Sequence, residues 1–157
     1  MGIFSASEVV ELGIQIEKNG RDFYNMLVKQ AKSDAAQNVF LYLAGEEEKH
    51  ITVFQKILEK TEKYEPAEVY SQQYSEYMRL LASENIFTQK DKGQEIARTV
   101  KTDREAVELG IGFEKDSILF YEGMERLVPD YDKKIISELT QQEKLHLKKL
   151  SDLRAQV

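Results

Sequence analysis

Glu47-Glu48-Lys49-His50 recurs later in the chain as Glu143-Lys144-Leu145-His146, so a Glu-x-x-His spelling occurs twice and contains both of the protein's histidines. At ordinary residue frequencies, a Glu three residues before each of two histidines has a chance on the order of one in a hundred. A spacing of three puts that Glu and His on one face of a helix. The stretches around them carry the helical period. Ala36, Phe40, Leu43, Glu47, His50, Phe54 and Ile57 alternate steps of three and four, as do Ile136, Leu139, Glu143, His146, Leu150 and Leu153. Glu46, Glu48 and Lys49 fall off the first stripe and read as a solvated face.

Each of these helices is preceded by a partner. Ser5-Ala6-Ser7-Glu8 reads as a capping box that opens a helix running to about Ala31, with the stripe Val10, Gly13, Glu17, Gly20, Tyr24, Leu27 and Ala31. Thr102-Asp103-Arg104-Glu105 reads as a second box, opening a helix with Val107, Gly110, Glu114, Ser117, Tyr121, Met124 and Val128. In both stripes a single carboxylate interrupts apolar, small or aromatic residues. Lys32-Ser33-Asp34 and Pro129-Asp130 supply the turns. The phrase Glu11-Leu12-Gly13-Ile14 returns as Glu108-Leu109-Gly110-Ile111, and Phe23-Tyr24 as Phe120-Tyr121, at a constant offset. Two copies of a helical hairpin follow from this repeat.

Between about Thr61 and Lys101 the periodic signal weakens. Pro66, the Lys90-Asp91-Lys92-Gly93 turn and a short amphipathic piece with Tyr70, Tyr74, Tyr77 and Leu81 lie here. So long a segment is rarely a bare loop in a compact domain, and it reads as a crossover with a short helix packed by its tyrosines on the outside of the bundle. The predicted fold is all-α, a four-helix bundle of two hairpins joined by that crossover, and residues 1–157 form one domain.

Turn positions align the interrupting residues. Glu17 and Glu47 lie equally far from position 32 in the first turn, and Glu114 and Glu143 nearly equally far from the Val128-Pro129 junction in the second. Each hairpin therefore sets its lone Glu level with its Glu-x-x-His. Four carboxylates in one core layer cannot all stay ionised unless positive charge joins them. Two divalent cations balance four carboxylates, with two neutral imidazoles as further ligands; a structural polar network is the alternative. Oxygen and nitrogen donors without thiolate point to iron first, then manganese, with zinc as a passive occupant. Six residues underfill two octahedral ions and leave positions for a small oxidant or water. Gly13, Gly20, Gly110 and Ser117 flank the lone carboxylates, either to leave room or to let helices pack closely. Tyr24 and Tyr121, two turns beyond Glu17 and Glu114, read either as hydrogen-bond partners of ligating carboxylates or as core aromatics.

Composition limits the alternatives. Twenty-two basic against 28 acidic residues, interspersed and summing to −6, argue against nucleic-acid or anionic-membrane binding. The absence of cysteine excludes disulfides, thiol catalysis and thiolate-held clusters. Neither an export signal nor an 18-residue apolar run is legible, so a cytoplasmic location is expected.

With Glu17, Glu47, His50, Glu114, Glu143 and His146 in place, the chain resembles the ferritin-like di-iron carboxylate proteins. The phrases Glu17-Lys18-Asn19-Gly20-Arg21-Asp22-Phe23-Tyr24 and Glu46-Glu47-Glu48-Lys49-His50 look most like the rubrerythrin branch. The resemblance implies those six residues as ligands of two iron ions, a homodimer, and reductive removal of hydrogen peroxide, with dioxygen as an alternative oxidant. It also marks two departures. Typical members append a rubredoxin module held by four cysteines, so electrons here are expected from an external donor. They also carry an extra ligand carboxylate at the position matching Ser117, without which the ligand set resembles a bacterioferritin-type ferroxidase centre. Iron oxidation for storage or delivery and a passive metal-binding structural module are the competing readings.

Overall fold

A computed structural model describes residues 5–61 and 72–157, and among them every regular element is helical. Six α-helices follow one another: α1 (Ala6–Gln30), α2 (Asp34–Thr61), α3 (Gln72–Glu84), α4 (Lys92–Arg98), α5 (Asp103–Met124) and α6 (Asp130–Arg154). Short 3-10 turns cover Ile86–Thr88 and Glu125–Leu127. The extensive pairings are α1 with α2 and α5 with α6, so the two hairpins predicted from the repeat are present. The fold is the all-α bundle that the periodicity implies.

The start signals work as local chemistry requires. Ser5 Oγ accepts from the Glu8 backbone N–H at 3.1 Å, and Thr102 Oγ1 accepts from that of Glu105 at 3.1 Å, each satisfying a donor that the first helical turn leaves unpaired. Glu105 Oε2 accepts from the Lys101 N–H at 3.0 Å, reaching one residue beyond the cap itself. At the first turn, Ser33 Oγ accepts from the Ala36 N–H at 3.2 Å. The Asp103 carboxylate accepts from the Lys32 and Ser33 N–H groups at 2.9 and 3.0 Å, tying the turn of one hairpin to the start of the other. That tie helps fix the relative height of the hairpins.

The stripes are buried as their spacing predicts, with Tyr24, Phe40, Leu43, Phe54, Tyr121, Met124, Ile136 and Leu150 at or near zero exposure. Ala31 alone on these stripes is only part-buried.

The crossover departs from the prediction. Among its described residues it carries two α-helices and a 3-10 turn rather than one short helix. Lys90-Asp91 does form a turn, with Asp91 at φ 59°, but Lys92 and Gly93 already belong to α4. Tyr77 is 43% exposed, and the buried anchor of α3 is Met78, which lies against Gly123 of α5. Tyr74 is part-buried and its hydroxyl donates to the Gly123 carbonyl. Pro66 and Tyr70 fall outside the described residues. Asn19, fully buried in α1, donates to the carbonyls of Phe87 and Gln89 at 2.7 and 2.5 Å and accepts from the Gly93 N–H at 3.1 Å. One side chain thus pins the end of the crossover to the helix that carries Glu17.

Candidate metal centre

All six residues singled out by the stripes meet in the middle of the bundle. Glu17 comes from α1, Glu47 and His50 from α2, Glu114 from α5, and Glu143 and His146 from α6. The four carboxylates have zero exposure and the two imidazoles 2%. They form two groups in which ligand atoms lie within 4.8 Å of one another: Glu17, Glu47, His50 and Glu143 in one, Glu47, Glu114, Glu143 and His146 in the other. Glu47 and Glu143 belong to both. Glu143 shows why: its Oε1 is 2.8 Å from His50 Nδ1, while its Oε2 is 3.7 Å from His146 Nδ1. The imidazole rings stack with centroids 5.7 Å apart and planes 13° from parallel.

Charge is the problem that this arrangement sets. Among the described residues, the only ion-pair partners of the four carboxylates are the two histidines. Glu17 Oε2, Glu114 Oε2, both oxygens of Glu47 and of Glu143, and Nδ1 of each histidine are buried without a well-aligned hydrogen bond and face mainly one another. Leaving so many polar atoms unsatisfied in a core is expensive. The protonation states respond accordingly. Burial first, then the charge of Glu143, pushes the Glu47 and Glu114 carboxyls well above the usual range. Burial opposes the charging of His50, but the Glu17 charge and hydrogen bonding with Glu143 and Glu17 outweigh it, and the imidazole pKa is pushed up to about 11. Glu143 goes the other way: burial raises it, yet hydrogen bonding with Glu114, His146 and His50 holds it below the ordinary carboxylate range. Protons therefore offset part of the negative charge of the cluster.

The residues fit a pair of divalent cations. Their unsatisfied atoms are carboxylate oxygens and imidazole nitrogens, donors suited to iron and its neighbours. Each group supplies one private carboxylate, one imidazole and two shared carboxylates.

The surroundings orient these donors. Tyr24 Oη donates to Glu114 Oε1 at 2.8 Å and Tyr121 Oη donates to Glu17 Oε1 at 2.7 Å, each crossing from one hairpin to the other. Of the two sequence readings for these tyrosines, hydrogen bonding to the carboxylates is the one found. Burial first, then the charge of the facing Glu, raises both phenols well above their ordinary value, so they remain donors. Sequence reasoning missed two further partners. Gln142 Oε1 accepts from His50 Nε2–H at 2.6 Å, which leaves Nδ1 for the centre, and Glu46 Oε1 lies 3.9 Å from His146 Nε2. Glu46 was read as part of a solvated face; its side chain is only 16% exposed, unlike that of Glu48 at 60%. The signal that could have found both is their common place, one residue before the Glu of each Glu-x-x-His.

The small residues beside the lone carboxylates are packing positions. A Cβ at Gly20 would stand 2.6 Å from Phe113 Cζ, one at Gly13 3.1 Å from Met124 Cε, and one at Gly110 3.2 Å from Leu150 Cδ1. Ser117 is fully buried and its hydroxyl donates to the Phe113 carbonyl at 3.0 Å.

Comparison with known proteins agrees with the fold. A family model described as Rubrerythrin matches residues 8–154. The structure is also similar to that of a protein of Thermotoga maritima described as a ferritin-like diiron-carboxylate protein, with a TM-score of 0.69 and 24% identity over 99% of this chain and 97% of that one. No curated protein sequence matches the chain significantly.

Proposed function

The chain belongs to the rubrerythrin family, and from that premise we propose that the buried cluster holds two iron ions and serves an oxidoreductase that passes two electrons from an external donor to hydrogen peroxide or dioxygen. One observation carries this reading: two carboxylates, Glu47 and Glu143, are common to two adjacent ligand groups, and both oxygens of each, with Glu17 Oε2, Glu114 Oε2 and Nδ1 of both histidines, are buried without a well-formed hydrogen bond. A structural polar network satisfies its members, whereas this one leaves them facing one another.

Bound iron would supply the electron pair by changing oxidation state at each of two ions. The residues of the chain supply the rest. Glu17 with His50, and Glu114 with His146, would hold the separate positions, while Glu47 and Glu143 would serve both. Tyr121 and Tyr24 fix one oxygen of each private carboxylate, and Gln142 fixes the ring of His50. Burial keeps bulk water off the donor set. The 157 residues contain no cysteine to hold an iron of rubredoxin type, so the donor is proposed to be a separate molecule.

Ser117 favours a second reading. Its buried hydroxyl is engaged with Phe113 and offers no carboxylate where typical rubrerythrins have one, which leaves the six-residue donor set that resembles ferroxidase centres. Iron(II) would then be the substrate to be oxidised and passed on.

Stopped-flow absorption of the anaerobically loaded iron(II) protein tests both readings. Rapid oxidation by peroxide or dioxygen, followed by re-reduction by a donor over many cycles, is expected for the oxidoreductase. Oxidation that consumes added iron(II) in proportion and ends with a ferric product released or stored supports the second reading. Inertness toward both oxidants rejects the two together.

A further inference from the structure

The two halves of the centre differ at their outer edge. Gln142, preceding Glu143, crosses to the histidine of the other hairpin and accepts the His50 Nε2–H at 2.6 Å. Glu46, preceding Glu47, faces His146 across the hairpins with a carboxylate instead, its Oε1 3.9 Å from Nε2, close enough to act by charge but beyond hydrogen-bond distance. A neutral amide therefore stands behind one imidazole and an anion behind the other. The Glu46 carboxylate is held in place, because Oε1 accepts from the Tyr42 hydroxyl at 2.9 Å and the Tyr42 ring meets His146 edge-on at 6.2 Å. Lys49 Nζ lies 3.1 Å from Glu46 Oε2, but that side chain is 77% exposed and its charge is screened by solvent. A carboxylate charge this close to an imidazole favours positive charge on the ring and so makes its other nitrogen a stronger metal ligand.

The inner edges differ as well. His146 Nδ1 stands 3.7 Å from Glu47 Oε1, 3.7 Å from Glu143 Oε2 and 3.9 Å from Glu114 Oε1. Ligand atoms that share one ion at about 2.1 Å lie roughly 3–4 Å apart, which is the spacing these donors have. His50 Nδ1 is 3.5 Å from Glu17 Oε1 but closes on Glu143 Oε1 at 2.8 Å, a contact that an entering ion has to replace. Inner and outer edges point the same way.

We propose that the two metal positions are unequal and fill in order, the Glu114/His146 position first and the Glu17/His50 position second, with Glu46 as the positioning residue that sets the difference. This rests on the two-ion reading above. It assigns the chain a state with one ion bound, in which the shared carboxylates Glu47 and Glu143 are already drawn toward one side.

Titration of the metal-free protein with cobalt(II), followed by its ligand-field absorption and by calorimetry, tests the order without any turnover. The expected result is two ions bound in two steps at least about tenfold apart. Glu46→Gln weakens the first step by about tenfold and brings the steps together, and Gln142→Glu narrows the gap by strengthening the second. Anomalous scattering at the cobalt edge from crystals loaded with one equivalent places that ion against His146. Two ions taken up in a single unresolved step, an E46Q protein with both constants unchanged, or a half-loaded crystal with its ion against His50 overturns the proposed order and leaves the two-ion reading standing. Uptake of fewer than two ions overturns both.

Discussion

Tyr121 of the second hairpin donates its hydroxyl to Glu17 of the first, 2.7 Å away in the fully buried core, and Tyr24 returns the same bond to Glu114 at 2.8 Å. The exchange ties private carboxylates to the opposite hairpin, so donor geometry and hairpin packing depend on each other. Tyr121→Phe removes the 2.7 Å hydrogen bond to Glu17 Oε1, on a carboxylate whose Oε2 has no hydrogen bond among the described residues. The metal-free protein is expected to lose about 1–3 kcal/mol in urea unfolding, and metal affinity to fall about 10–100-fold. An unchanged affinity would show that the tyrosine serves packing alone.

Stability of the metal-free protein should fall as pH rises. Glu47 and Glu114 have raised pKa values, by burial first and then by the charge of Glu143, so each stabilises the fold below its unfolded value near 4.5 and loses that contribution as pH climbs through its folded value. His50 acts in the same sense, because a group raised from 6.5 to about 11 gives its full contribution below pH 6.5 and has lost it above pH 11. Glu143 is lowered, so its contribution is present above pH 4.5 and disappears only in acid. Calorimetric melting temperatures between pH 6.5 and 9 should therefore decline without metal. A divalent metal reverses the slope, since its ligands must give up their protons. A metal-free melting temperature that rises over this range would contradict the assignment of protons to the cluster.

Much of this was legible in the sequence because it is local. Three-and-four spacing, two capping boxes and two turns locate the long helices, and the equal distances of Glu17 and Glu47 from their turn bring those carboxylates level. What escaped depends on contacts between distant segments. Asn19 is an unremarkable polar residue until its partners Phe87, Gln89 and Gly93, some 70 positions away, are known. Glu46 and Gln142 lie off the buried stripes, Gln142 on an exposed position, and only the approach of α2 to α6 brings their polar ends to the histidines. The seven-residue α4 is too short to display a period, and the left-handed Asp91 before it reads as a turn alone. Tyr77 points outward because α3 buries Met78 instead.

Two glycines on neighbouring helices should respond oppositely to alanine. At Gly20 a Cβ would meet Phe113 Cζ at 2.6 Å, Cε2 at 3.0 Å and Glu47 Oε2 at 3.1 Å, so Gly20→Ala forces the phenyl ring or the shared carboxylate aside and is expected to destabilise by about 1–3 kcal/mol. At Gly45 a Cβ meets nothing within 4 Å on an exposed helical position, and Gly45→Ala should stabilise by up to roughly 1 kcal/mol through helix propensity. Denaturant titrations of the two variants give the comparison. Equal effects of the same sign would mean that Phe113 moves freely and that the close approach at Gly20 does not position Glu47.

Asn19 should hold the crossover in place without touching the ligands. Its amide donates to two carbonyls and its oxygen accepts from Gly93, where a Cβ would collide with the Asn19 carbonyl because α4 crosses α1 so closely. Asn19→Ala leaves those three backbone groups without partners, at about 1 kcal/mol each or roughly 3 kcal/mol in all. Asn19→Asp keeps the acceptor but sets a carboxylate against two carbonyls, and is expected to be at least as damaging. Hydrogen exchange should then quicken over residues 86–98 while the helices that carry the six candidate ligands keep their protection. Faster exchange confined to α2 and α6, with 86–98 unchanged, would show that the crossover is anchored elsewhere and that Asn19 acts on the bundle core.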